Sequence, residues 1–269
     1  MTRHRAKAGD VLLDLLRGAG AEARTAAYLI ENGELFGFTE NTVRVTLSRL
    51  QSRGVIESPA RGCYRLAQTA DPVNEFVERW RLGEHRVRPW NGRDWLFVHT
   101  TDESGRSRWA MEAAGLRQVR SKLFVRPDNL NLSLEALEDL LERIGLEKSA
   151  LFIAGEPAGD SASGWMKLWP CDMLSAEYRT MADRLAASLE RLPSLDTETA
   201  RIETFRVGGE GIHLLAKDPL LPAPFVDIEA RRRLWSTMCE YDARGREIWA
   251  VSRRDKDSSL PIPRLANAE

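Results

Sequence analysis

Side chains that can hydrogen-bond to the edges of base pairs are concentrated in one stretch of this sequence, from Thr39 to Gly54. At about 100° per residue, a helix over this stretch would bury one side, formed by Val43, Thr46, Leu47 and Leu50. The other side then presents polar groups, guanidiniums and one valine, namely Asn41, Thr42, Arg44, Val45, Ser48, Arg49, Ser52 and Arg53. These residue types at helical spacing predict a helix that contacts double-stranded DNA.

The signals for helix ends agree with this prediction. Thr39 is a favourable N-cap, because its hydroxyl can accept a hydrogen bond from a backbone N–H of the first turn. Gly54 follows a positively charged last turn and suits the left-handed conformation that ends many helices. Two further segments with apolar periodicity precede this helix, Gly9 to Leu16 and Glu22 to Phe36.

A candidate β-hairpin follows the helix. The β-prone runs Val55 to Glu57 and Cys63 to Leu66 flank a Pro/Gly loop with Arg61 near its tip, and Arg65 lies in the second run. Three helices followed by a hairpin predict a winged helix-turn-helix. The alternative for Thr39 to Gly54 taken alone is an ordinary amphipathic surface helix.

Composition sets the broad class of the protein. The chain has 269 residues, 43% of them hydrophobic, and a net charge of −1, so we expect two or three globular domains. No apolar run approaches the roughly 20 residues that cross a bilayer, and the charged N-terminus lacks an apolar signal segment, which predicts a cytoplasmic protein without membrane contact. Cys63, Cys171 and Cys239 lie far apart, which predicts separate reduced thiols.

Strand and helix patterns alternate in the middle of the chain. Asp94 to Thr100 is β-prone, Arg108 to Gly115 is helical, and Leu116 to Arg126 has the pattern of a second β region. A helix capped by Ser133 and a β run from Ser149 to Ala154 complete the series. This order predicts a ferredoxin-like domain, provided that Leu116 to Val125 folds as a hairpin or a bent pair.

Beyond Pro170 the patterns are mostly helical, with a last helix from Asp227 to Asp242 and a polar tail from Ser258, so the predicted fold class is α+β. We expect a winged helix-turn-helix domain over 1–70, a linker helix over 71–92, a ferredoxin-like α+β domain over 93–170 and a helical C-terminal domain with a polar tail over 171–269. In the last of these, Pro219 to Pro222 holds two leucines between prolines, a rigid turn that we expect to pack into a core or a neighbouring domain.

Three motifs resemble the PaaX family, the phenylacetate-degradation repressors of the winged-helix class. They are TVRVTLSRL at residues 42–50, WNGRDW at residues 90–95 and KDPLLP at residues 217–222. The resemblance implies a three-part regulator whose middle domain is related in shape to the small CRISPR-adaptation nucleases. It also implies a homodimer on palindromic operator DNA, released by an aryl-acyl-CoA effector, which is phenylacetyl-CoA in the founding case.

A DNA-bound dimer assigns roles to individual side chains, since two copies present two recognition helices about one helical turn apart. Arg49 and Asn41 are the candidates for base edges, and Arg61 is the candidate for a minor-groove contact by the wing. The candidate phosphate contacts are Arg24, Arg44, Arg53, Arg61 and Arg65.

Basic and aromatic residues also alternate near the predicted domain junction. Arg86, Arg88 and Trp90 could hold the phosphates and adenine of a CoA ester through ion pairs and stacking. The alternative is a linker whose tryptophans pack onto the middle domain. The sequence offers no motif that decides between these two interpretations.

Other chemistry has weak support. GAGAEA at residues 18–23 lacks the preceding strand of a nucleotide-binding turn, and GDSASG at residues 159–164 lacks the last glycine of a nucleophile elbow. The four histidines share no metal-ligand spacing, so we expect no metal, no cofactor and no enzymatic activity. Two alternatives stay open, a metal-dependent nucleic-acid hydrolase using Asp94 in the middle domain and a winged-helix adaptor that binds protein.

Overall fold

The computed structural model describes residues 7–19, 22–67, 72–162 and 164–257. The chain divides into two compact units, Met1–Glu78 and Arg79–Glu269. The first unit contains helices α1 (Ala8–Arg17), α2 (Ala26–Glu34), α3 (Glu40–Ser52) and α4 (Pro72–Glu78), with strands β1 (Arg24–Thr25), β2 (Ile56–Ala60) and β3 (Cys63–Leu66). The second contains β4 (Trp95–His99), α5 (Gly105–Ala113), β5 (Arg117–Arg120), β6 (Leu123–Pro127), α6 (Leu134–Ile144), β7 (Leu151–Gly155), α7 (Cys171–Arg191), α8 (Thr197–Ala216) and α9 (Ile228–Asp257).

The predicted helix between Thr39 and Gly54 is confirmed as α3. The Thr39 hydroxyl accepts a hydrogen bond from the backbone N–H of Thr42 over 3.2 Å, which supplies the expected N-cap. Gly54 has a φ of +70°, the left-handed conformation expected after the helix. The core of this unit joins its first three helices through fully buried side chains, namely Val11, Leu12, Leu16, Leu29, Val43 and Leu47.

The helix predicted in the segment from Glu22 to Phe36 begins later than the apolar pattern indicated. Arg24 and Thr25 form the short strand β1, which pairs with β3, and α2 begins only at Ala26. The helix begins there because the Thr25 hydroxyl accepts a hydrogen bond from the N–H of Tyr28 over 3.1 Å. The predicted hairpin is confirmed, and β1, β3 and β2 form a three-stranded antiparallel sheet in that order.

The segment predicted as a linker helix contains an α-helix followed by a 3₁₀ helix. α4 ends at Glu78, and a 3₁₀ helix follows from Arg79 to Arg86. Gly83 interrupts this second part with a φ of +52°, and a Cβ on Gly83 would lie 2.4 Å from the Trp235 ring. The tight contact with the tryptophan therefore requires glycine at this position.

The four strands of the second unit form one antiparallel sheet in the order β5, β6, β4, β7. Along the chain the order is strand, helix, two strands, helix, strand, so the hairpin predicted between Leu116 and Val125 is confirmed as β5 and β6. The Ser133 hydroxyl caps α6 by accepting a hydrogen bond from the N–H of Ala136 over 3.2 Å. Leu96 and Val98 of β4 are buried on one face of this sheet.

The sheet and the C-terminal helices share one hydrophobic core. The Trp95 ring stacks on that of Trp169 with centroids 6.4 Å apart, and Trp169 meets Phe225 edge-on at 5.7 Å. Leu221 is also buried in this core, which confirms that the proline-bounded turn packs inside. The predicted α+β class with a helical C-terminal region is confirmed in these terms, while the predicted four-part division stays a prediction.

The last helix is longer than predicted. The apolar pattern predicted a helix from Asp227 to Asp242, whereas α9 continues to Asp257. The indole N–H of Trp249 donates to the hydroxyl of Thr204 over 3.2 Å. The polar tail predicted from Ser258 lies outside the described residues. In the ranges that the structure describes, no helix has the length and apolar character needed to cross a bilayer.

Candidate nucleic-acid interface

The packing of α3 fixes which of its sides faces outward. Val43, Leu47 and Leu50 are buried, so the helix cannot rotate without exposing its apolar side. Every residue predicted to contact DNA on this helix is exposed, namely Asn41, Thr42, Arg44, Val45, Ser48, Arg49, Ser52 and the adjoining Arg53. The structure therefore brings these eight side chains to one outward surface of the first unit.

Two of the predicted phosphate contacts, Arg44 on α3 and Arg65 on β3, already have acidic partners. The guanidinium Nε of Arg44 lies 2.7 Å from a carboxylate oxygen of Glu40, one turn earlier on α3. Across the hairpin, Nε of Arg65 lies 2.6 Å from a carboxylate oxygen of Glu57. The Arg44 pair is exposed and the Arg65 pair is partly buried, and ion pairs that solvent reaches contribute only about 0 to 1 kcal/mol. Either guanidinium can therefore exchange its partner for a phosphate at small cost.

Three other guanidiniums are free for an external ligand. Arg49 and Arg53 at the end of α3, and Arg61 in the turn between β2 and β3, form no ion pair and no side-chain hydrogen bond with any residue that the structure describes. Because a guanidinium carries five donors and a permanent charge, guanidiniums without acidic partners favour an anionic ligand with several acceptors.

Arg24 differs from the other predicted phosphate contacts. Its side chain is mostly buried, donates to Glu22 over 3.1 Å and lies 5.5 Å from the centroid of the Tyr28 ring. Its Nε and one terminal nitrogen are buried without a hydrogen-bond partner among the described residues. Arg24 therefore holds β1 against α2, and its phosphate contact stays a prediction.

The acidic partners Glu40 and Glu57 were not predicted from the sequence. The spacing of Glu40 and Arg44, four residues apart on a helix, was a usable signal for the first pair. The second pair follows from the hairpin register, in which Glu57 lies opposite Arg65. Arg44 and Arg65 therefore belong to ion pairs, whereas Arg49, Arg53 and Arg61 have no acidic partner among the described residues.

The three side chains predicted to bind an effector lie in different environments. Arg86 is only 8% exposed and donates to the carbonyls of Gly83 (3.1 Å) and Leu215 (3.3 Å), and burial lowers its pKa. Arg88 is exposed and lies 2.7 Å from a carboxylate oxygen of Asp128. The structure therefore gives Arg86 a structural role and leaves Arg88 accessible.

Trp90, the third of these residues, packs inward. Its indole N–H donates to the carbonyl of Asp94 over 2.6 Å, and its ring meets those of Trp95 and Phe225 at centroid distances of 5.7 and 5.5 Å. Asn91 closes the adjoining turn by accepting hydrogen bonds from the N–H groups of Arg93 and Asp94, both over 2.9 Å. This motif positions the start of β4, and its effector contact stays a prediction.

A buried polar network that the sequence analysis missed lies around residues 217–222. The Asp218 carboxylate accepts hydrogen bonds from the Tyr178 hydroxyl (2.8 Å) and from the N–H of Leu220 (2.9 Å). Arg231 donates to the carbonyl of Leu221 over 2.7 Å. No local pattern predicts this network, because Tyr178 and Arg231 come from separate helices.

Support for other chemistry is small in the described part of the chain. The Asp94 carboxylate accepts a hydrogen bond from the Asn91 amide over 2.7 Å. Among the residues that the structure describes, no group of three histidine, cysteine or acidic side chains is placed to hold a metal ion. Cys63, Cys171 and Cys239 are free and half-buried.

Comparison with known proteins finds a family model that matches part of the first unit. Residues 10–70 match the family model described as PaaX-like protein. No curated protein sequence matches this chain. A solved structure, an uncharacterized protein Rv0674 from Mycobacterium tuberculosis, is similar with a TM-score of 0.61 and 23% identity over 92% of this chain and 99% of that chain, which establishes a shared fold. The resemblance to the PaaX family is confirmed by the match over residues 10–70, which contain α1 from Asp10 onward, all of α2 and α3, and the β2–β3 hairpin.

Proposed function

We propose that this chain is a DNA-binding transcriptional regulator, a repressor of an aromatic-acid catabolic operon of the phenylacetate type. The observation that carries the proposal is the outward surface of α3 and the β2–β3 turn. It combines the unpaired guanidiniums of Arg49, Arg53 and Arg61 with short polar side chains, inside the segment that matches the PaaX-like family model.

The arrangement of elements supports a winged helix-turn-helix for the first unit. Two helices precede α3, and the hairpin that follows has Arg61 in its exposed turn, as a wing requires. The sheet order β5, β6, β4, β7 and the two intervening helices support a ferredoxin-like interpretation of residues 93–170. In this proposal the winged domain spans 1–70, residues 71–92 are the linker, and residues 171–269 form the helical domain.

The proposed contacts follow from the chemistry of each exposed group. α3 enters the major groove, where Arg49 can donate two hydrogen bonds to a guanine and Asn41 can pair with an adenine. Arg61 in the wing enters the minor groove, and Arg53 binds phosphate. Arg44 and Arg65 reach phosphate by leaving their acidic partners, which costs little where solvent reaches the pair.

A homodimer on a palindromic operator supplies the second recognition helix. The proposed effector is an aryl-acyl-CoA such as phenylacetyl-CoA, and its binding releases the operator. The protein acts without metal, cofactor or catalysis in this proposal, in the cytoplasm. Of the three candidate effector residues, Arg88 is the one whose guanidinium is accessible.

Duplex binding tests the proposal. DNA from upstream of the protein's own gene, compared with a scrambled duplex at fixed salt, should bind selectively, and one aryl-acyl-CoA should weaken the complex while the free acid does not. Affinity should fall steeply with salt, since each phosphate contact releases counterions. Salt-insensitive or absent binding to every duplex would remove the proposal and favour the adaptor. Metal-dependent cleavage that Asp94→Asn abolishes would favour the hydrolase.

A further inference from the structure

One aliphatic side chain lies exposed on the outward surface of α3. Val45 is 41% exposed, and among the side chains that the structure describes in the first unit no other large hydrophobic one is exposed to this degree. It is separate from the apolar side of the helix, since Val43, Leu47 and Leu50 are buried in the core of the unit. Val45 is therefore an isolated apolar group on a polar surface.

Helix stability does not favour a valine at this position. Valine is less favourable than alanine or the long polar residues in a helix, because its branched Cβ loses rotamer freedom against the preceding turn. At 41% exposure, Val45 also removes only part of its apolar area from water when the unit folds. A contact outside the chain would give this valine a role that the fold of the unit does not give it.

Val45 lies in a row with the two side chains that are proposed to contact bases. Asn41 is four residues before it and Arg49 four residues after it, so the three lie along one face of α3, about 6 Å apart along its axis. All three are exposed, and in the described ranges neither the Asn41 amide nor the Arg49 guanidinium is hydrogen-bonded. A ligand that contacts both Asn41 and Arg49 therefore meets Val45 between them.

The major groove of DNA displays one methyl group that such a side chain can contact. This group is the C5-methyl of thymine, and the other distinguishing groups of the four base pairs are hydrogen-bond donors and acceptors. Valine offers neither a donor nor an acceptor, so covering a polar base edge with Val45 would remove its water without replacing the hydrogen bond. Contact with the thymine methyl has no such cost and removes apolar area from water.

We infer that Val45 selects a thymine in the operator half-site through contact between its own methyl groups and the C5-methyl of the base. The inference rests on the proposed function and deepens it, because it assigns a base to the one apolar residue of the outward surface. Since Val45 lies between Asn41 and Arg49, the thymine lies between the base pairs that these two residues contact.

Removal of the thymine methyl alone tests the inference. The probe is the shortest duplex from upstream of the protein's own gene that the full chain binds selectively. Each thymidine is replaced in turn by deoxyuridine, which lacks the methyl group and keeps the O4 acceptor and the base pair. One replacement in a half-site should raise the dissociation constant of the wild type about fourfold, the effect of one buried methyl group. If no replacement raises it, the inference is overturned.

The same replacements with Val45→Ala identify the residue that makes the contact. Alanine is favourable at an exposed helical position, so this variant should fold, as circular dichroism can verify. At the contacted thymine the fourfold loss should shrink to within about 1.5-fold, because the two changes remove one and the same contact. Leu82→Ala is the control, since Leu82 is an exposed leucine of the second unit and its loss should leave the fourfold effect in place. Equal losses in the wild type and in Val45→Ala at every thymine would overturn the inference.

Methylation of cytosine supplies the converse test. The thymine–adenine pair at this position is changed to cytosine–guanine, and the duplex is compared with one that carries 5-methylcytosine there. The added methyl group should lower the dissociation constant of the wild type about fourfold and leave that of Val45→Ala unchanged. Equal binding of the two duplexes by the wild type would overturn the inference.

The inference and the proposed function fail in different ways. A chain that binds no duplex selectively removes the proposed function, and the inference is lost with it. A chain that binds its operator selectively, without coupling between Val45 and any thymine methyl, keeps the proposed function and overturns the inference alone.

Discussion

The side-chain amide of Asn129 donates a hydrogen bond to the main-chain carbonyl of Leu220 over 2.8 Å, and so joins the end of the sheet to the connection before the last helix. The same amide group accepts a hydrogen bond from the Arg126 guanidinium over 2.9 Å. Leu220 has a φ of +54°, a conformation that a leucine rarely adopts, and the Asp218 carboxylate holds its N–H. One buried amide therefore satisfies a charged side chain and a strained turn together.

We expect Asn129→Ala to lower the free energy of unfolding by about 3 kcal/mol, because it removes the donor to the buried Leu220 carbonyl and the acceptor of one terminal nitrogen of the buried Arg126 guanidinium. Chemical denaturation measures the change. Asn131→Ala is the control, since the exposed Asn131 amide also donates to a carbonyl, that of His85 over 3.0 Å, and its loss should cost no more than about 0.5 kcal/mol. Equal losses in the two variants would contradict the role given to Asn129.

The unpaired arginines of the first unit should differ in how they affect DNA binding. Arg53→Ala should reduce the slope of log affinity against log salt by about 0.9, as expected for one lost phosphate contact. Arg49→Ala should reduce discrimination between operator and scrambled DNA by about 1 to 3 kcal/mol, because Arg49 is proposed to contact a base.

Titrations with labelled duplexes at several salt concentrations separate these two effects. Arg206→Ala is the control, since Arg206 is an exposed arginine of the second unit and its loss removes the same charge from the protein. If Arg206→Ala weakens operator binding as much as Arg49→Ala, the assignment of the interface to α3 is wrong.

Stability should depend on pH through Glu147. The Thr100 hydroxyl (2.5 Å) and the backbone N–H of Asp102 (2.9 Å) donate to its carboxylate and lower the pKa of Glu147 from 4.5 to about 2. A carboxyl group whose pKa is lower in the folded state stabilises the protein above pH 4.5, and this contribution is lost as the pH falls from 4.5 toward 2.

Glu147→Gln should therefore lower the free energy of unfolding near neutral pH, and its difference from the wild type should shrink as the solution is acidified below the unfolded-state pKa. Denaturant unfolding at a series of pH values measures this difference. Glu240→Gln removes the same charge from an exposed position on α9 and serves as the control. A difference for Glu147→Gln that stays constant over the acidic range would refute the assigned pKa shift.

The effector prediction can be tested at Arg88 without disturbing the core. Arg88→Ala should weaken the response of the DNA complex to the aryl-acyl-CoA about tenfold, because an ion pair with a phosphate is lost. Arg93→Ala, an exposed arginine of the neighbouring turn, should leave the response unchanged. An unchanged thioester affinity in the folded double variant Arg86→Ala with Arg88→Ala would exclude this cluster as the effector site.

The sequence by itself determined the local elements and their order. Thr39 and Gly54 marked the ends of α3, and Ser133 marked the start of α6, because caps and left-handed glycines act within one turn of their own position. The hairpins at residues 56–66 and 117–127 followed from short β-prone runs around turn residues. The outward surface of α3 followed from apolar periodicity alone.

The tertiary structure decided which of these residues are available to a ligand. Arg86 was predicted from its type and its neighbours, yet its guanidinium is buried against carbonyls contributed by Gly83 and the distant Leu215. The exposure of Leu151 and Ile153 could not be predicted from the sequence either, since a short β-prone run does not indicate whether its strand lies at the edge of a sheet or at its centre. Burial depends on which distant segments pack together, and local sequence carries no record of that pairing.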